Sequence, residues 1–182
     1  MIVLVMLVAC GGDNGGTPGA DAGGGGSGSN HGSNGSGSGS GSGITGTPLV
    51  ECVTQTNTYR QMNGKSALTE SSSLEAYAAT GAMFDYDNGS AHDHFGMTGG
   101  GGIAFAENEC PGFDGWNLAN ASGDMAALVD MCLAAFYAEG PGSDYSTHGH
   151  YINMMGAYGT LGCGIYEDTA TQNVTIVQDY GM

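Results

Sequence analysis

Four of the chain's five histidines stand in two His-x-His pairs, His92-Asp93-His94 and His148-Gly149-His150. Neutral imidazole is the commonest metal ligand in proteins. In an extended segment residues i and i+2 point to the same side, so each pair is expected to present two imidazoles together. Two glutamates belong with them. Glu107 lies in Ala106-Glu107-Asn108, and Glu139 closes a helical stretch in Phe136-Tyr137-Ala138-Glu139-Gly140-Pro141. A carboxylate at a helix C-terminus is unfavourable with the macrodipole, so Glu139 calls for a histidine cation or a metal ion. These residue types suit divalent-metal binding. With a metal-bound water and a glutamate as general base they also suit hydrolysis. Hydrogen-bonded loop histidines are the other role open to the pairs. His-Glu-x-x-His and Gly-x-Ser-x-Gly are absent, and the Gly99–Gly102 run lacks the lysine of a phosphate cradle.

The elements that must position these residues are readable in outline. Val50 to Asn63 reads as a helix stopped by Gly64. Ser72-Ser73-Leu74-Glu75 reads as a capping box opening a second helix, with Leu74, Tyr77, Ala78 and Gly81 on one face. Asp85 to Gly102 reads as loop, and Ile103 to Glu107 as a short strand. A third helix is expected from Asp124 to Ala138, with Met125, Leu128, Val129, Cys132 and Phe136 as its apolar stripe. Leu161 to Glu167 and Val174 to Tyr180 read as paired strands. Helices early and a hairpin late predict an α+β fold with an antiparallel sheet covered by helices.

Composition narrows the function further. Two basic residues, Arg60 and Lys65, face 18 acidic ones, for a net charge of −16. That excludes sequence-independent nucleic-acid binding and a polybasic membrane patch, both of which need Lys and Arg. Residues 11–47 are almost purely Gly, Ser, Asn, Asp and Thr, a composition that buries nothing and behaves as a flexible linker. Pro48 to Met182 then forms one domain.

The N-terminal residues Ile2 to Ala9 are apolar but too short to span a bilayer. They end in Leu7-Val8-Ala9-Cys10-Gly11, which resembles a bacterial lipoprotein signal cut before the cysteine that is lipidated. No Lys or Arg precedes the run, as a signal n-region should have. A lipid on Cys10 would be the only membrane attachment, with the linker as tether. The expected location is therefore secreted or in the cell envelope. Cys52, Cys110, Cys132 and Cys163 remain, and in an oxidising compartment four cysteines suggest two disulfides with three possible pairings.

In order along the chain, several motifs are similar to those of the CAP superfamily, which holds cysteine-rich secretory, antigen 5 and pathogenesis-related proteins. Asn57-Thr58-Tyr59-Arg60 is like its Asn-x-Tyr-Arg, and Ala106-Glu107-Asn108 like its Gly-Glu-Asn. Phe136-x-x-Glu139 stands for Trp-x-x-Glu, and Gly149-His150-Tyr151-x-Asn153 for Gly-His-Tyr-x-Gln/Asn. Leu161-Gly162-Cys163-Gly164 and Val177-Gln178-Asp179-Tyr180 complete the resemblance. It implies a three-layer α-β-α sandwich with a central antiparallel sheet. It also implies a cleft tetrad of Glu107, Glu139, His150 and either His94 or His92. In metal-bearing members the histidines hold a divalent ion such as zinc and the glutamates stay close. By resemblance the domain is a monomeric binding module for a metal and for a lipid or protein ligand. A zinc-dependent peptidase or esterase is the alternative, since fold likeness does not license an activity.

Overall fold

The computed structural model describes residues 44–182; the expected signal and all but the last few residues of the linker lie outside the described residues. The first helix, α1 (Thr47–Met62), starts at the last linker residue, with Pro48 in its first turn where a missing N–H costs nothing. A two-residue strand, β1 (Thr69–Glu70), leads into α2 (Ser72–Asn88). The α2 cap lies one residue before the expected one: Ser71 Oγ accepts from the Leu74 N–H at 3.4 Å. The helix also takes in the first four residues of the segment read as loop, Asp85 to Asn88, and is capped by Gly89 in the left-handed conformation (φ 63°) that favours glycine. A further helix, α3 (Asp93–Thr98), follows inside the same segment. The next strand, β2 (Ala106–Cys110), sits three residues beyond its expected start and is buried throughout.

Asp124 caps α4 (Met125–Ala138) by accepting from the N–H groups of Ala126 and Ala127. The buried stripe of α4 is Leu128, Val129, Cys132, Leu133 and Phe136. Asp144 then caps α5 (Tyr145–Met154), so His148-Gly149-His150 is helical rather than extended. The hairpin strands β3 (Thr160–Asp168) and β4 (Asn173–Gly181) match their expected places.

The sheet runs in the order β1-β3-β4-β2, antiparallel except where the short β1 lies parallel to β3. Alternation along β3 sets the two helical layers. Gly162 and Gly164 face α2, whose backbone lies so near that an added Cβ would come within 2.3 Å of Leu74 C and 2.1 Å of Ala78 C. Between them Cys163 turns to the other face and bonds Cys52 of α1. Cys110 of β2 likewise bonds Cys132 of α4. Helices on both faces give the α+β, three-layer arrangement. Two buried disulfides fit an oxidising, extracytoplasmic setting. Among the described residues no helix is long and apolar enough to cross a membrane.

Candidate metal centre

On β2, Glu107 and Glu109 share one face and Asn108 takes the other. In the β2–β4 ladder Glu107 stands opposite Asp179, and the two buried carboxyl groups meet side by side. His92 approaches from the turn before α3, in the left-handed backbone region (φ 64°) that non-glycine residues seldom occupy. That turn aims both of its polar groups at β2. The His92 N–H donates to Glu109 Oε2 at 2.8 Å, and its Nδ1 shares a 2.9 Å hydrogen bond with Glu107 Oε1. Glu109 Oε2 lies 3.8 Å from the same Nδ1. One ligand atom from each of His92, Glu107 and Glu109 falls within 4.8 Å of the others, and all three residues are buried. Asp85 of α2 closes the group, its Oδ1 accepting from the His94 N–H at 2.7 Å.

The two members of the first histidine pair therefore part company. His92 contacts Glu107. The His94 ring packs on Tyr77 and Phe84, with centroids 4.7 and 5.8 Å away, and fills the space a Cβ on Gly81 would enter. Burial lowers the pKa of His94. Because Asp93 and His94 open a helix, the extended spacing expected to align the two rings does not exist here.

Charge is the conspicuous feature of this site. Burial, followed by the charge of Asp85, pushes the Glu107 carboxyl well above its ordinary range. Burial, followed by the charge of Glu107, does the same to Asp179. Glu109 is raised to about 9, by burial first and then by Asp85. Asp85 is raised to about 6, burial outweighing the His94 N–H and the charge of His92. Glu107 Oε2, Asp85 Oδ2 and both Asp179 oxygens meet no N–H or hydroxyl donor among the described residues and face other carboxyl groups instead. The ion pairs at this site, His92 with Glu107 and Glu109 and His150 with Glu139, use histidines rather than Arg60 or Lys65. Buried carboxylates so placed must either keep protons or share a cation. One imidazole and two carboxylates are a donor set that divalent metals accept, so the residues fit such an ion.

The second half is built on α4 and α5. Glu139, at the C-cap of α4, hydrogen bonds His150 Nδ1 through Oε1, and its Oε2 accepts from the N–H groups of His150 (2.9 Å) and Tyr151 (3.2 Å). Burial would raise its pKa, but the bond and charge of His150 and the two main-chain donors outweigh this and hold it low. Glu139 thus has the partner its position called for. Phe136 stacks on the His150 ring at 4.5 Å and 21°. Two residues apart on a helix lie roughly 200° apart around its axis. His148 accordingly turns away, its Nδ1 meeting the carbonyls of Glu139 (2.7 Å) and Gly140 (3.1 Å), a loop-stabilising role.

Both halves are tied to β2. Asn108 Nδ2 donates to the His150 carbonyl at 3.1 Å, and Asn153 Nδ2 to the Glu107 carbonyl at 3.0 Å.

The model of the cysteine-rich secretory protein family, CAP, matches residues 53–180. The chain belongs to the CAP family. A search of curated proteins finds no match for it. On this CAP domain Glu107, Glu139 and His150 stand on the motifs that carry the resemblance, and His92 is the histidine in contact with Glu107. The motifs in the sequence do not mark Glu109, Asp85 or Asp179 as site residues. Glu109 carried a signal, since two residues past Glu107 on a strand is the same face. Asp85 and Asp179 carried none, because only the packing of α2 and the β2–β4 register bring them in.

Proposed function

We propose that this CAP domain is a non-catalytic binding module that holds one divalent metal ion at His92, Glu107 and Glu109. The Glu139–His150 pair completes the cleft beside it. The supporting observation is the convergence of these three buried ligand groups among carboxylates that no lysine or arginine neutralises. Two carboxylates and one imidazole leave the metal's identity open among zinc, manganese and calcium. At His92 the ligand atom is Nδ1, which faces both Glu107 and Glu109, while Glu139 holds Nδ1 of His150 and fixes the orientation of that ring. A metal would neutralise the carboxylates and order the cleft for a lipid or protein ligand.

A hydrolase is the weaker reading because both glutamates are already engaged. Both oxygens of Glu139 bind His150 or main-chain N–H groups, and Glu107 is shared between His92 and Asp179. The domain is monomeric in this reading, secreted or held in the cell envelope by a lipid on Cys10. Calorimetric titration of the EDTA-treated full chain with zinc, manganese and calcium tests it. One equivalent of at least one ion is expected to bind, at least about tenfold more weakly in Glu107→Gln. No binding of any of the three, or equal affinity in the variant, overturns the reading.

A further inference from the structure

The chain's two permanent cations line one cavity, far in role from the carboxylate cluster. Arg60, Gly64, Lys65, Ser66, Gly156 and Tyr158 are among the residues around a space of about 410 Å³, a size that suits a small molecule. Arg60 lies in the last turn of α1, and Gly64 turns the chain so that Lys65 follows it to the same mouth. Among 18 acidic residues a cation would pair at little cost, yet neither Arg60 nor Lys65 makes an ion pair among the described residues.

Arg60 is 2% exposed and most of its donors are used. Nε donates to the Ser66 carbonyl at 2.9 Å, and Nη1 to the carbonyls of Met154 (2.6 Å) and Gly156 (2.9 Å). These bonds clamp the α1 terminus to the α5–β3 connection, so the guanidinium is fixed in place before any ligand arrives. They also leave Nη2 as the nitrogen with no hydrogen bond to the described chain. A guanidinium committed in this way cannot offer the two-pronged fork that favours a planar carboxylate. It offers one nitrogen, beside an exposed ammonium and the hydroxyls of Ser66 and Tyr158. Separate single donors and two positive charges match a tetrahedral dianion.

We infer that this cavity binds a small soluble oxyanion of the phosphate class, inorganic phosphate or a phosphomonoester, between Arg60 and Lys65. A net charge of −16 repels an anionic membrane surface, which favours a free ligand over a lipid headgroup. The site is independent of the metal centre.

The test is a titration of the ¹⁵N-labelled full chain with inorganic phosphate in EDTA, followed by amide shifts. Saturable shifts at Lys65, Ser66, Gly156 and Tyr158 are expected, unchanged in Glu107→Gln. Lys65→Met removes an exposed side chain with no hydrogen bond in the fold, so its melting temperature should hold while phosphate affinity drops about tenfold or more. No saturable shift, or equal affinity in Lys65→Met, overturns the inference. An equal response to acetate overturns the phosphate assignment. Binding to phosphatidic-acid vesicles without a response to free phosphate overturns the soluble ligand.

Discussion

Replacing Glu109 by Gln should make the metal-free protein more stable and the metal-bound protein less so. Glu109 is fully buried, and its carboxyl is raised from 4.5 to about 9 by burial and by Asp85. A carboxyl whose folded pKa exceeds its unfolded value costs nothing below the unfolded value. Its cost grows as pH rises and levels off above the folded pKa. At about 1.4 kcal/mol per pH unit, the cost approaches roughly 3 kcal/mol at pH 7. Glutamine keeps an oxygen for the His92 N–H and gives Asp85 a donor in place of a second carboxyl. The expected gain in EDTA is therefore about 1–3 kcal/mol at pH 7, several degrees in melting temperature, and close to nothing at pH 4. Added cation should narrow or reverse the difference, because a ligand group is gone. Thermal melts at pH 4 and 7, with EDTA and with the cation that binds most tightly, measure both effects. An EDTA melting temperature at pH 7 equal to or below that of the wild type would refute the view that these carboxylates crowd one another.

Other consequences are as specific. Gly164→Ala places a Cβ 2.1 Å from the Ala78 carbonyl carbon, so α2 must move; a loss of about 1–3 kcal/mol or more is expected in urea unfolding. The Cys110–Cys132 and Cys52–Cys163 bridges span 22 and 111 residues. Chain entropy assigns them about 3 and 5 kcal/mol, so Cys52→Ser/Cys163→Ser should lose more stability than Cys110→Ser/Cys132→Ser in the same assay. Glu139 has a folded pKa below its unfolded one, so its contribution is present above the unfolded value and lost as pH falls through the folded value. Glu139→Gln should therefore flatten the acid limb of the stability–pH curve, as read by urea unfolding across that range.

Sequence pattern carried the helices with strong apolar stripes and the hairpin, because burial on one face writes a period into the chain. Leu128, Val129, Cys132 and Phe136 did so for α4. It failed where glycine and histidine replace apolar residues. Helix α5 buries only Gly149, His150, Asn153 and Met154, so little periodicity was available. Its legible mark was Asp144, which caps the helix through the Ser146 N–H at 3.0 Å. Asp85 to Gly102 reads as loop for the same reason, which masks the left-handed turn at His92 that separates it from His94. Of the candidate site, the family motifs carried Glu107, Glu139 and His150. The buried charge of Asp85, Glu109 and Asp179 is a product of tertiary packing.

The most direct measurement is anomalous diffraction from crystals of the chain grown with manganese or zinc. The account predicts one strong peak within coordination distance of His92, Glu107 and Glu109, absent from crystals of His92→Ala and retained in His94→Ala. A peak that persists in His92→Ala, or no ordered ion near Glu107 at all, would contradict it.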